Sequence, residues 1–175
     1  MRSFAKQVIT SAAVAAGLTE AAVMDKPDKE TVLLPEKRIQ LSYLDEGLER
    51  KPRHVARMDG PEDAEHPYRV IRSRLYKTRL TVQAEVKSDD EEWLESFVKA
   101  FLLALPGKTQ NDDADLVTIK VFKAVRSGFG TRTVEVFTKR ANALHIRFTG
   151  MICTTRQAPL ITDINLTDNL DYKEE

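Results

Sequence analysis

The chain carries one cysteine, Cys153, no net charge, and no apolar run approaching the roughly twenty residues that cross a bilayer. Each shortage removes a class of protein. A single thiol rules out an internal disulfide framework and fits synthesis in a reducing cytoplasm. Twenty-seven basic side chains cancel twenty-seven acidic ones, so the whole-molecule field does not draw in nucleic acid or an anionic membrane. Any electrostatic partner must be met locally.

Motifs that carry chemistry are missing too. His54, His66 and His145 are scattered, with no pair at metal-ligand spacing and no second cysteine to complete a thiolate site. Asp112, Asp113 and Asp115 resemble part of a calcium loop but lack its glycine and its closing glutamate, and read as a solvated turn. Ser127-Gly128-Phe129-Gly130-Thr131 lacks the lysine and helix start of a phosphate loop and reads as a hairpin turn. Cys153 and His145 would sit about 26 Å apart in one strand, too far for a nucleophile and its base. We therefore expect no catalytic residue, no metal and no cofactor.

What is present suits one domain over residues 1–175, with 42% hydrophobic and 31% charged residues. Met1-Arg2 and the Ala-rich run to Ala16 have the outline of an export signal, but Lys6 and Gln7 interrupt it. Phe4, Val8, Ala12 and Ala16 fall at i, i+4 spacing, as in an amphipathic helix closed by Gly17. Arg38–Leu44 alternates as a strand. A longer strand follows, with Tyr76, Thr78, Leu80, Val82, Ala84 and Val86 on one face and Lys77, Arg79, Thr81, Gln83, Glu85 and Lys87 on a wet one. Ser88 with Glu91 forms a capping box, and Asp89 to Glu92 place negative charge at the positive end of the helix that follows. That helix has a stripe of Trp93, Phe97, Ala100, Phe101 and Ala104, widened by Leu94, Leu102 and Leu105, and stops at Pro106-Gly107. Leu116–Val125, Thr133–Phe137 and Ala143–Cys153 extend the sheet as a meander, and Leu160–Thr167 reads as an edge strand or arm.

These elements predict an α+β fold: a mostly antiparallel sheet, covered on one face by two helices, with a long projecting loop at Asp45–Pro67 and a C-terminal arm at 160–175. Pro52, Gly60, Pro61 and Pro67 break regular structure in the loop, which reads as a projecting loop or hairpin. Its charges are segregated, Arg50, Lys51, Arg53 and Arg57 before Gly60 and Glu62, Asp63 and Glu65 after it. Opposed charges of this kind can join neighbouring subunits, and these seven residues are our candidate interface. Arg69, Arg72, Arg74, Lys77 and Arg79 form the strongest basic cluster. They lack the aromatic spacing of an RNA-binding sheet, so a wet strand or a charged interface explains them better than a nucleic-acid groove.

The order of helix, strand, long loop, long strand, aromatic helix and strand meander resembles the tail terminator and neck proteins of long-tailed bacteriophages. The likeness lies in the polar-faced strand Leu80–Val86 meeting the helix of Trp93, and in Leu144–Gly150 followed by Pro159–Asp163. The resemblance implies a non-enzymatic virion protein, made in the host cytoplasm and located in the tail or neck. It would form a hexameric ring that caps the tail tube, ends tube growth and joins the tail to the head connector. Implied partners are further copies of the chain, tail tube protein, connector or neck proteins and sheath protein, with no membrane. The alternatives are another tail or baseplate adaptor, a nucleic-acid-binding module on the basic strand, and a small enzyme with a dispersed site.

Overall fold

The computed structural model describes residues 1–27, 34–60, 68–113, 115–133 and 136–159, with backbone alone at 52–54, 127–133 and 136–140. The elements are α1 (Arg2–Ala15), a 3-10 turn (Glu20–Ala22), β1 (Val23–Asp25), β2 (Arg38–Asp59), β3 (Tyr68–Ser88), α2 (Glu91–Ala104), β4 (Lys108–Gln110), β5 (Leu116–Thr133) and β6 (Val136–Pro159). The fold is α+β. Six strands form one mixed sheet in the order β1-β2-β3-β6-β5-β4, in which β1 runs parallel to β2 and the other neighbours pair antiparallel.

The alternation read along β3 places Leu80, Val82, Ala84 and Val86 fully inside, beside Ile39 and Leu41 of β2 and Leu144, Ile146 and Phe148 of β6. Both helices close this face. From α1 come Ala5, Ile9, Ala12 and Ala13, and from α2 come Leu94, Phe97 and Phe101. Burying each large side chain contributes about 1.5–3 kcal/mol, which makes this one face the main source of stability. The α1 stripe is rotated from its expected position: Phe4, Val8 and Ala16 flank the core, while Ala5 and Ile9 fill it. The innermost face of α1 is thus Ile9 set among the small Ala5, Ala12 and Ala13. Gly17, at φ +97°, ends the helix, with its amide donating to Val14 O and that of Leu18 to Ala13 O. This pair of bonds needs a left-handed residue, which glycine adopts without strain.

Four expectations need correction. Of the two readings of residues 45–59, the loop is overturned and the hairpin arm holds, because β2 continues to Asp59 and pairs antiparallel with β3 as far as Asp59↔Arg69. Bulges between Tyr43 and Asp45 and between Arg50 and His54 absorb the irregular stretch that hid the period, and place Pro52 where the ladder is interrupted. Residues 61–67 and the arm 160–175 lie outside the described residues. Secondly, α2 starts at Asp90, not Ser88: the Asp90 carboxylate accepts from the Trp93 amide at 3.0 Å, while the Ser88 hydroxyl accepts from the Asp90 amide at 3.0 Å. Asp90 stands three residues before Trp93, the reach a cap requires. Thirdly, Ser127–Thr131 is strand, with a register shift between Phe129 and Arg132. The run Thr133–Phe137 is then no separate strand, for Thr133 ends β5 and Val136 begins β6. Lastly, Tyr76 and Leu102 belong to the surface and not to the core.

Candidate assembly surface

Beyond Thr78 the cover of the two helices ends, while β2, β3 and β6 run on together as a three-stranded blade. Tyr68 to Arg74 of β3 lie between Asp59 to His54 of β2 and Pro159 to Cys153 of β6. On the helix side of this blade the apolar side chains Leu48, Tyr76 and Ile152 are exposed, at 66%, 37% and 42%. Apolar surface of this kind continues the core without a lid. Where helices and blade meet, a notch of about 560 Å³ opens between the start of α1, the 46–48 stretch of β2, the 111–115 turn and β6. Thr78, buried on the notch floor, has a hydroxyl with no hydrogen-bond partner among the described residues.

A polar staple fastens one side of the notch. Arg72 on β3 donates to the Asp115 carboxylate and to Asp113 O, and the Asn111 side chain accepts from the Asp115 amide at 2.7 Å. Asp115 is therefore buried and paired, which corrects the solvated-turn reading of that residue; Asp112 and Asp113 remain exposed. Cys153 joins the same group. Burial pushes its thiol above the usual range, a hydrogen bond with Asp115 acts the same way, and Arg72 opposes both. A thiol held protonated is a poor nucleophile. Among the described residues no group of three or more His, Cys, Asp or Glu could hold a metal ion, and no helix is long and apolar enough to cross a membrane.

The face of the sheet away from the helices is polar but only partly wet. Lys87, almost buried, donates to the Gln40 side chain at 2.6 Å and pairs with Glu85 at 3.1 Å, while Gln83 donates to Glu85 at 2.6 Å. Toward β5 the face becomes basic. Lys120 stands opposite Arg147 and Lys123 opposite His145, with Phe122 the extra residue of a bulge between them. The Arg147 guanidinium lies 4.4 Å from the Phe122 ring centroid.

The expected interface residues fall as follows. Arg50 and Arg57 are exposed on β2, where Arg50 stands opposite Tyr76 and Arg57 opposite Ile71. Lys51 turns back along its own strand to Glu49, whose carboxyl this hydrogen bond holds below its ordinary range. Arg53 belongs to β2, with its side chain outside the described residues; Glu62, Asp63 and Glu65 lie wholly outside them. The basic cluster of β3 is divided. Arg69 pairs with Asp59 and Arg72 with Asp115, which leaves Arg74 and Arg79 exposed and spoils a continuous phosphate-binding row. Sequence reasoning missed the staple and the Lys120–Arg147 juxtaposition, since both depend on strand register across distant segments.

No protein-family model matches the chain, and no curated protein does. Among solved structures, a chain described as "Virion of native gene transfer agent (GTA) particle" matches at 20% identity, covering 83% of this chain and 90% of that chain, with a TM-score of 0.39. A score that low assigns neither function nor partner.

Proposed function

We propose that the chain is a structural component of a phage-like particle, and that its copies close into a ring which caps a tail tube and ends its growth. The observation that carries this reading is a pair of unlike free edges on one sheet. β1 covers β2 only at Ile39–Leu41, so from Ser42 to Asp59 the outer edge of β2 is unpaired among the described residues. Among the described residues β5 reaches β6 only as far as Thr149, so Gly150–Pro159 offers a second edge on the opposite side of the blade. Unpaired edges are templates for another strand. Two different edges on opposite sides make a head-to-tail contact, and such contacts close into rings when the rotation between copies closes.

The exposed Leu48, Tyr76 and Ile152 would be covered in the same step, adding apolar burial to the edge bonds. Capping then needs no turnover: one face of the ring meets the last tube ring and the other offers no site for a further tube subunit. The chain is in this reading not an enzyme and acts without a cofactor. Mass measurement of the purified chain, alone and mixed with tail tube protein, tests it. A closed oligomer that binds tube ends is expected. A monomer at every concentration, indifferent to tube protein, would sink the reading.

A further inference from the structure

The basic end of the helix-free sheet face is arranged at a cost. Like charges directly opposite on neighbouring strands destabilise a sheet, and the register sets Lys120 against Arg147. The Arg147 Nε is buried with no hydrogen-bond partner among the described residues, on a side chain whose guanidinium lies 4.4 Å from the Phe122 ring centroid. Among the described residues Lys120, Lys123 and Arg147 have no carboxylate partner. Phe122 is 42% exposed beside the His145 ring, giving the cations an apolar neighbour. A site that violates local pairing rules in this way is what an anionic partner would relieve.

Resting on the ring reading above, we propose that this patch receives the acidic segment 160–175 of a neighbouring copy. That segment holds Asp163, Asp168, Asp171, Glu174 and Glu175 against Lys173 alone, with Leu170 and Tyr172 among the acids to meet Phe122. Charge and apolar content are both complementary. Within one copy the nearer acids fall short: Arg147 lies a dozen residues before Pro159 on β6, about 40 Å at strand rise, which Asp163 and Asp168 cannot span and only the residues from about Asp171 onward reach when fully extended. A copy whose patch lies nearer the end of β6 meets no such limit. The contact would fix the register between subunits more than it adds affinity.

The test is a charge swap in the full chain, read as oligomer mass against concentration and salt. Lys120→Glu with Lys123→Glu should weaken assembly about ten-fold or more, and Asp168→Lys with Asp171→Lys and Glu174→Lys should do the same. Joining the two sets should restore assembly, and added salt should weaken the parent chain, whose exposed charges are screened beyond about 10 Å. Tryptophan fluorescence of each variant should match the parent, since Lys120 and Lys123 are exposed. A parent chain that assembles while either set leaves it unchanged, or while the joined sets fail to recover, overturns the docking and leaves the ring standing. A parent chain that never assembles overturns the ring itself, and this docking with it. Retention of double-stranded DNA by the parent, lost in Lys120→Glu/Lys123→Glu with assembly untouched, would assign the patch to nucleic acid instead.

Discussion

The Asp90 carboxylate accepts the backbone amide of Trp93 at 3.0 Å, and Lys37 reaches both residues, pairing with Asp90 at 3.2 Å and lying 4.9 Å from the Trp93 ring centroid. One lysine from the chain before β2 thus braces the start of α2. The Trp93 amide first, and Lys37 after it, hold the Asp90 carboxyl below its ordinary range. A depressed folded value means that the stabilisation is complete above the unfolded carboxylate range and is lost as pH falls through the folded value. Asp90→Ala should lower the thermal midpoint by a few degrees near neutral pH and by less in acid. Asp90→Asn keeps the acceptor and should remove most of the pH dependence. An Asp90→Ala midpoint equal to the parent's near neutrality would place the helix start elsewhere.

Phe97 stacks between Trp93 at 4.7 Å and Phe101 at 6.1 Å, and is 3% exposed. Phe97→Ala should cost about 3–5 kcal/mol in denaturant unfolding, the range for a large aromatic removed from a core. Leu103, on the same helix but 81% exposed, serves as the control, and Leu103→Ser should fall within about 0.5 kcal/mol of the parent. Equal losses from the two would mean that α2 packs on a different face.

The residues that announced themselves in the sequence are those whose neighbours along the chain settle their environment. The alternation from Thr78 to Val86 and the Leu94, Phe97 and Phe101 stripe follow from strand and helix periods, and both face the core. Asp45–Asp59 reads as loop or hairpin because two bulges and Pro52 break the period, although pairing to β3 supplies the strand. The cap was misplaced because Ser88 and Asp90 both have the right chemistry, and only geometry divides their roles. The staple of Arg72, Asp115 and Cys153 and the pair Lys120 and Arg147 were invisible because they join residues far apart in the chain.

Tyr43 donates its hydroxyl to Asp25 at 3.1 Å, with the Arg2 guanidinium 5.4 Å from its ring centroid. Burial first, and then the charge and hydrogen bond of Asp25, push its pKa up to about 12. The folded value is raised, so the stabilisation is complete below the ordinary tyrosine range of about 10 and is lost as pH rises toward the folded value. Absorbance titration should show a late-ionising tyrosine component, and Tyr43→Phe should remove it. The variant should also lose stability less steeply in alkali than the parent. An unchanged late component would assign it to another tyrosine.

On β2, Arg50 and Arg57 are exposed along the edge proposed for ring closure. Charges at the rim of an interface steer encounter and select partners more than they hold the complex together. Reversal of Arg50 and Arg57 to Glu should therefore slow assembly and make it less selective, while unfolding stability shifts by about 0.5 kcal/mol or less, as for other exposed sites. Particles produced with this variant should carry tails of uncontrolled length, or tails unattached to heads, because an incomplete ring leaves the tube end open to further subunits. The pair is chosen apart from Lys120 and Lys123, so that edge and sheet-face contacts are read separately. Tails of normal length on intact particles would remove the β2 edge from the mechanism, and a chain absent from purified particles would overturn the structural role itself.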